Sequence, residues 1–433
     1  MSNSEISTPG DKPTPHPVPH PAPASIDRHA PKEFRLPDVA PTFLVESAPL
    51  RSSAVPAPTS PEGSAVAPSR TMPTDFEIAI IPGTGQPKQG LVPGKRRQPM
   101  RGYEEQYTDI VDYCVRVTER IWEDQDVGYI YDTYASAVRL HDDAGWKYGV
   151  ERVVEGTMQA INAFPDARHY ADDVIWAGDE DQGFVTSHRA INLGHHTGPW
   201  RWSEPTNKPI KLWVLANCVS KENLFYEEWV LYNTAARLLQ LGIDVPTAAK
   251  SYANGGGLAQ INDHQRGEAE RLLGGRRPER YPVAPEGPFD VEHAVRQLFH
   301  DTYNRRDLSA IDRAYAQNVL WHGASNREGR GRGEVRSMAR NLLSTFPDLG
   351  LQVDEVYWMG NDHDGYSVSV RWSAAGTHRG YGLYGPPTGR HAFVWGISQL
   401  YFQHGRIVED WMLFNEFDVI AQLIGEDAPA LLS

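Results

Sequence analysis

Two stretches of the chain carry apolar residues at helical spacing. Within residues 103–122, Tyr107, Ile110, Val111, Cys114, Val117 and Ile121 recur three and four apart, which predicts one amphipathic helix. Residues 291–303 do the same through Val291, Ala294, Leu298 and Tyr303. Beyond each helix the period shortens. In the first half, strand-like runs fall at 172–176, 183–193, 210–219 and 224–232, separated by Gly and Pro clusters. Helices followed by strands predict an α+β domain, with the helices closing one side of a curved antiparallel sheet to leave a cone with an apolar interior.

The pattern occurs twice because the sequence does. Sliding 149–241 onto 331–423 without a gap makes 24 of 93 positions identical, against roughly six expected by chance at ordinary residue frequencies. The matches are informative residue types. Phe164-Pro165-Asp166 falls on Phe346-Pro347-Asp348, Trp176 on Trp358, and Arg189 on Arg371. Gly194, His196 and Gly198 fall on Gly376, His378 and Gly380, and Trp213 on Trp395. Glu227, Trp229, Leu231 and Asn233 fall on Glu409, Trp411, Leu413 and Asn415, while His141 meets His322 after a one-residue slip. This is a duplicated domain. The divisions expected are a tail at 1–100, a first domain at 101–243, a linker with a short helix near 268–273 at 244–287, and a second domain at 288–427.

The first hundred residues hold 20 of the 33 prolines and few large apolar side chains. Such a segment has little to bury and is expected to be a disordered, polyproline-like tail. The run 76–81 is short and apolar enough to dock as a strand. The formal charge of −14 is concentrated after residue 100, a balance that repels phosphate backbones and argues against nucleic acid as partner. No apolar run reaches the roughly 18–20 residues of a bilayer span, so no membrane is expected either. The N-terminus lacks the basic and apolar regions of a secretory signal, and Cys114 and Cys218 have no metal-ligand spacing, so the expected location is a reducing cytoplasm. No phosphate-binding glycine loop or nucleophile elbow is present in the sequence.

The order of the repeated residues resembles a known family: a strand ending in His, Gly at a helix start, Phe-Pro-Asp, Asp-x-Val-x-Trp-x-Gly, a Pro-Thr turn and Glu-x-Trp. It is similar to the SnoaL-like polyketide cyclases (ester-cyclase-like proteins) of the NTF2-like superfamily, over 103–242 and 289–425. The resemblance implies two tandem cone domains that pair through their sheets as an intrachain pseudo-dimer, with further self-association left open. It implies a small-molecule ligand and ring-closing acid/base chemistry with no metal and no organic cofactor. It also implies an acid four residues after the last-strand tryptophan, but this chain has Asn233 and Asn415 there. Gln399 resembles the family's pocket glutamine, and Tyr401 stands where its cyclases carry histidine.

Alternation along the strands puts Trp213 with Asn217, Trp229 with Asn233, Trp395 with Gln399 and Tyr401, and Trp411 with Asn415 on common faces. These are the expected substrate-binding residues, together with Arg189 and Arg371, whose guanidinium groups suit a carboxylate or enolate. An amide does not titrate near neutrality, so the proton transfer is expected from His196, His378, His141 or His322. The bland reading is a hydrogen bond from each histidine to a neighbouring loop. Glu227 and Glu409 share the tryptophan face and are further carboxylate candidates. Three functions remain open: a cyclase or isomerase acting on a small, largely apolar carbonyl compound, a non-catalytic binding protein, and an assembly module.

Overall fold

The computed structural model describes residues 96–255, 267, 269–272, 278–284 and 286–425. The proline-rich tail to residue 95 and the possible strand at 76–81 lie outside the described residues.

The first repeat opens with α1 (Ile110–Trp122), shorter than the periodicity predicts because Asp109 caps it by accepting from the Asp112 amide. Tyr103 and Tyr107 precede the helix and are buried against the sheet side, where the Tyr103 hydroxyl donates to Ser220 Oγ at 3.0 Å. Next come α2 (Ile130–Thr133), β1 (Tyr134–Asp142), β2 (Gly145–Tyr148), α3 (Val150–Ala163) and β3 (Arg168–Asp179). They are followed by β4 (Gly183–His195), β5 (Pro209–Lys221), β6 (Leu224–Leu231) and α4 (Thr234–Leu241). Gly149 enters α3 with φ at 91° and Gly331 enters the equivalent helix with φ at 94°, a backbone region in which an L side chain is strained.

The second repeat has α6 (Val291–Phe299), which runs on into a π turn at His300–Asn304, then α7 (Ser309–Ala314), β7 (Tyr315–Gly323) and β8 (Arg327–Arg330). It ends with α8 (Arg332–Thr345), β9 (Gly350–Asn361), β10 (Gly365–Thr377), β11 (His391–Gln403), β12 (Arg406–Phe414) and α9 (Glu416–Ile424). Between the repeats lies α5 (Val245–Asn254), capped by Asp244, which packs against α9 of the second repeat. The helix expected near 268 is present at 269–272, with Ala269 and Leu272 buried.

The two six-stranded sheets have the same order, β2-β1-β6-β5-β4-β3 and β8-β7-β12-β11-β10-β9. They are mixed rather than wholly antiparallel, because β1 runs parallel to β6 and β7 parallel to β12. A long crossover through a helix separates each parallel pair, which is what parallel neighbours require. Asp166 and Asp348 of the Phe-Pro-Asp turns accept from the far end of β4 and β10, at His195 N and Thr377 N, each at 2.7 Å.

The sheets have two buried faces. One packs on the repeat's own helices, where Val174, Trp176, Phe184, Cys218 and Val230 join Ile110, Val111 and Val117. The other meets the second repeat, and Ile175, Trp213, Leu215, Trp229 and Leu231 share one apolar cluster with Val356, Val370, Trp395 and Ile397. Paired faces of this kind make the chain an internal pseudo-dimer, with equivalent residues contacting each other reciprocally.

Candidate functional site

Between the first sheet and its helices lies a partly open cavity of about 130 Å³. Strand alternation decides what borders it. On β1 these are Tyr134, Leu140 and Asp142, on β4 Asn192, and on β6 Glu228, with Tyr232 just beyond. Helix α3 contributes Val153, Gly156 and Ala160, and the loop after β4 contributes Trp200, Arg201 and Trp202.

Three buried carboxyls line this cavity, those of Glu228, Asp142 and Asp143. The Tyr134 hydroxyl donates to Glu228 Oε2 at 3.1 Å. Burial pushes the Glu228 pKa up from 4.5 to about 7, a rise that the Tyr134 hydrogen bond opposes and the neighbouring Asp142 charge reinforces. Asp142 itself is ion-paired with Lys147. Asp143 accepts from Thr234 N at 2.7 Å and from Thr234 Oγ1 at 3.0 Å, which caps α4, and burial raises it to about 6. Tyr232 borders the cavity, its hydroxyl bonding no acceptor among the described residues. Asn192 bonds His169 Nε2 through Nδ2 at 3.0 Å, while its Oδ1 is buried without a donor. Arg237, 6% exposed, completes the wall from α4.

The residues picked from the sequence occupy other positions. Arg189 is 2% exposed between the sheets, where it donates to Asp172 Oδ2 at 2.5 Å, Gln399 Oε1 at 2.7 Å and Tyr401 Oη at 2.6 Å, and lies 4.1 Å over the Trp411 ring. Its counterpart Arg371 lies 4.0 Å over Trp229 and faces Asp354 and Glu355. Gln399 also donates to the Ser187 carbonyl and hydroxyl, Asn217 donates to Ser369 Oγ, and Trp213 meets Trp411 edge to face. Trp395 is buried in the same inter-repeat cluster. The expected common face is therefore real, but it is the face between the repeats and not the cone interior.

Asn233 and Asn415 are engaged in structure. Asn233 donates to Asn326 Oδ1 and accepts from Ser325 N across the repeat boundary, and Asn415 bridges Trp395 N, Phe393 O and Asp418 Oδ2. His141 stacks on Trp229 and bonds Glu227 Oε1 at 2.9 Å, and His322 stacks on Trp411 with its Nε2 3.4 Å from Glu409. Burial lowers the His141 pKa, partly offset by Glu227. His196 and His378 accept from the amides of Thr206 and Thr388 and pin the turn that follows β4 and β10, and burial lowers both pKa values. None of these four imidazoles borders the cavity of the first repeat. The cavity residues lie one position away: Asp142 beside His141, and Glu228 beside Glu227.

The second repeat keeps the tyrosine–carboxyl pair, with Tyr315 donating to Asp410 Oδ2 at 2.8 Å and burial raising Asp410 to about 7. Its interior is otherwise different. Trp372 stands at the position of Ala190 and Trp321 at that of Leu140. Their rings crowd Gly396 and Gly323 so closely that an added Cβ would come within 2.3 Å and 2.4 Å of them. Leu351, Ala374, Phe414 and Val419 replace His169, Asn192, Tyr232 and Arg237. The polar equipment belongs to the first cone.

Helices closing a curved six-stranded sheet over an interior cavity define an NTF2-like fold, here in two copies joined sheet to sheet. Residues 293–423 match the family model described as SnoaL-like polyketide cyclase. The matched segment is the second repeat, and the first repeat is its internal copy, with the same strand order. No curated protein matches it. Among solved structures it is similar to a SnoaL-like protein from Jannaschia sp. CCS1, at 18% identity over 33% of this chain and 98% of that one, TM-score 0.29. It is also similar to TsrD from Streptomyces laurentii, at 24% identity over 31% and 97%, TM-score 0.27. A third is an NTF2-like protein of unknown function from Burkholderia pseudomallei K96243, at 20% over 30% and 95%, TM-score 0.25. No helix among the described residues is long and apolar enough to cross a membrane.

Proposed function

We propose that the first repeat binds a small, largely apolar carbonyl compound and moves a proton on it by cofactor-free acid/base chemistry of the cyclase or isomerase kind. One observation carries this: Glu228, itself buried, borders the cavity with its pKa raised to about 7. A carboxyl poised there is present in both protonation states at neutral pH, the condition under which one group both takes a proton from carbon and returns it. The Tyr232 hydroxyl is a donor for the developing enolate oxygen, and Tyr134 orients the carboxyl. The base is thus assigned to Glu228 in place of His141, His196, His322 and His378. The second repeat serves as the packed partner that fixes the back of the first sheet, and a cytoplasmic setting suits two buried, free cysteines.

The test is proton exchange at carbon. 2-Indanone incubated with the protein in D2O should exchange its α-protons faster than in buffer, read by NMR, and Glu228→Gln should abolish the acceleration while leaving binding in place. Equal exchange with both proteins would remove Glu228 from the chemistry. Binding without exchange by the native protein would favour the non-catalytic binding reading, which has its own support: Asn233 and Asn415 stand at the family's acid position and are fully engaged in hydrogen bonds.

A further inference from the structure

The protein neutralises its buried guanidinium groups with carboxylates. Arg189 pairs with Asp172, and Arg371 faces Asp354 and Glu355. Arg237 is the exception. It is 6% exposed, yet no carboxylate lies within ion-pairing distance of it among the described residues. Asp143 attracts it from farther away, but the Asp143 oxygens are taken by the amide and hydroxyl of Thr234. Its Nε is sealed from solvent with no acceptor. What surrounds the guanidinium is aromatic: the Phe164 ring at 5.4 Å and the Trp200 ring at 5.7 Å. All three residues line the cavity that holds Glu228.

An arginine stays charged at any physiological pH, and a buried unpaired charge is costly to keep. The cost has no structural return in the second repeat, where the same position is Val419 and the fold is unchanged. A planar fork of donors with vacant valences beside two aromatic rings matches one kind of ligand group, a carboxylate attached to an apolar or aromatic body. Resting on the proposal that this cavity is the ligand site, we infer that its ligand is an organic acid whose carboxylate is taken by Arg237, with its apolar body against Phe164 and Trp200. Arg237 then sets which carbonyl compounds are accepted and how they lie relative to Glu228. A cavity of about 130 Å³ is of single-ring size, since an engineered apolar cavity of about 150 Å³ holds benzene.

Phenylacetate and its neutral analogue phenylacetamide are therefore suitable probes, with tryptophan fluorescence of the full chain as readout. Phenylacetate should bind at least about tenfold more tightly than phenylacetamide. Arg237→Gln should bring the two within about twofold of each other, and Arg237→Lys should retain part of the preference. Equal affinities for the native protein, or a preference that survives in Arg237→Gln, would overturn the inference while leaving the cavity as a binding site for neutral compounds. Absence of binding by either probe would overturn both the inference and the cavity reading. Arg237→Met supplies an independent readout without ligand. Removing an unpaired buried charge should raise the unfolding temperature or leave it unchanged, and a clear fall would make Arg237 a structural residue instead.

Discussion

Replacing Glu228 with glutamine tests whether the cavity carboxyl is desolvated as its surroundings imply. Burial moves its pKa from 4.5 to about 7, and each unit corresponds to about 1.4 kcal/mol, so the proton is held by about 3 kcal/mol more in the folded chain than in the unfolded one. A carboxyl raised in this way contributes its stability in full below about pH 4.5 and loses it as the pH climbs through about 7. Glutamine keeps the shape of the protonated acid and does not ionise. The difference in unfolding free energy between native and variant protein should therefore shift by about 3 kcal/mol between pH 4.5 and pH 8, in favour of the variant at the higher pH. Urea unfolding at four pH values, followed by tryptophan fluorescence, measures it. Asp143, Asp410 and Asp418 are also raised, to about 6, 7 and 7, but titrate in both proteins and cancel in the difference. A difference that stays constant within about 0.5 kcal/mol across that range would mean that Glu228 is hydrated, and the acid/base proposal would lose its main support.

Other perturbations probe the rest of the architecture. Arg189→Met strips Asp172 of its partner between the repeats and should cost about 3–5 kcal/mol in chemical unfolding, with Asp172→Asn in the same chain recovering part of the loss. Trp372→Ala empties the interior of the second repeat and should cost about 3–5 kcal/mol; added indole should restore some of the unfolding temperature by occupying the vacated volume. Asn415→Asp would turn a donor toward Asp418 and the Phe393 carbonyl into an acceptor, so a loss of stability of about 1–3 kcal/mol, growing above pH 7, is expected in place of new activity.

Element identity, the duplication and the family resemblance were legible in the chain by itself, because they depend on local spacing and on residues that recur. The 24 recurring positions also marked a functional-looking face. What they marked was the contact between the repeats: Arg189 lies over Trp411 and Arg371 over Trp229, while Ser187 accepts from Gln399 and Ser369 from Asn217, a reciprocal arrangement in which each side must fit the other. The cavity residues escaped for the complementary reason. His169, Asn192, Tyr232 and Arg237 have no identical counterpart in the second repeat, because only one cone keeps the polar interior.

Alternation could not repair this. A sheet buried on both faces reads as apolar at odd and even positions alike, so a period of two separates the faces without saying which one is the cone. Glu227 and Glu228 are adjacent, similar and both nearly buried, yet one answers His141 between the repeats and the other lines the cavity. The raised pKa of Glu228 and the missing partner of Arg237 are properties of enclosure, created when helices and sheets come together, and no spacing along the chain encodes them.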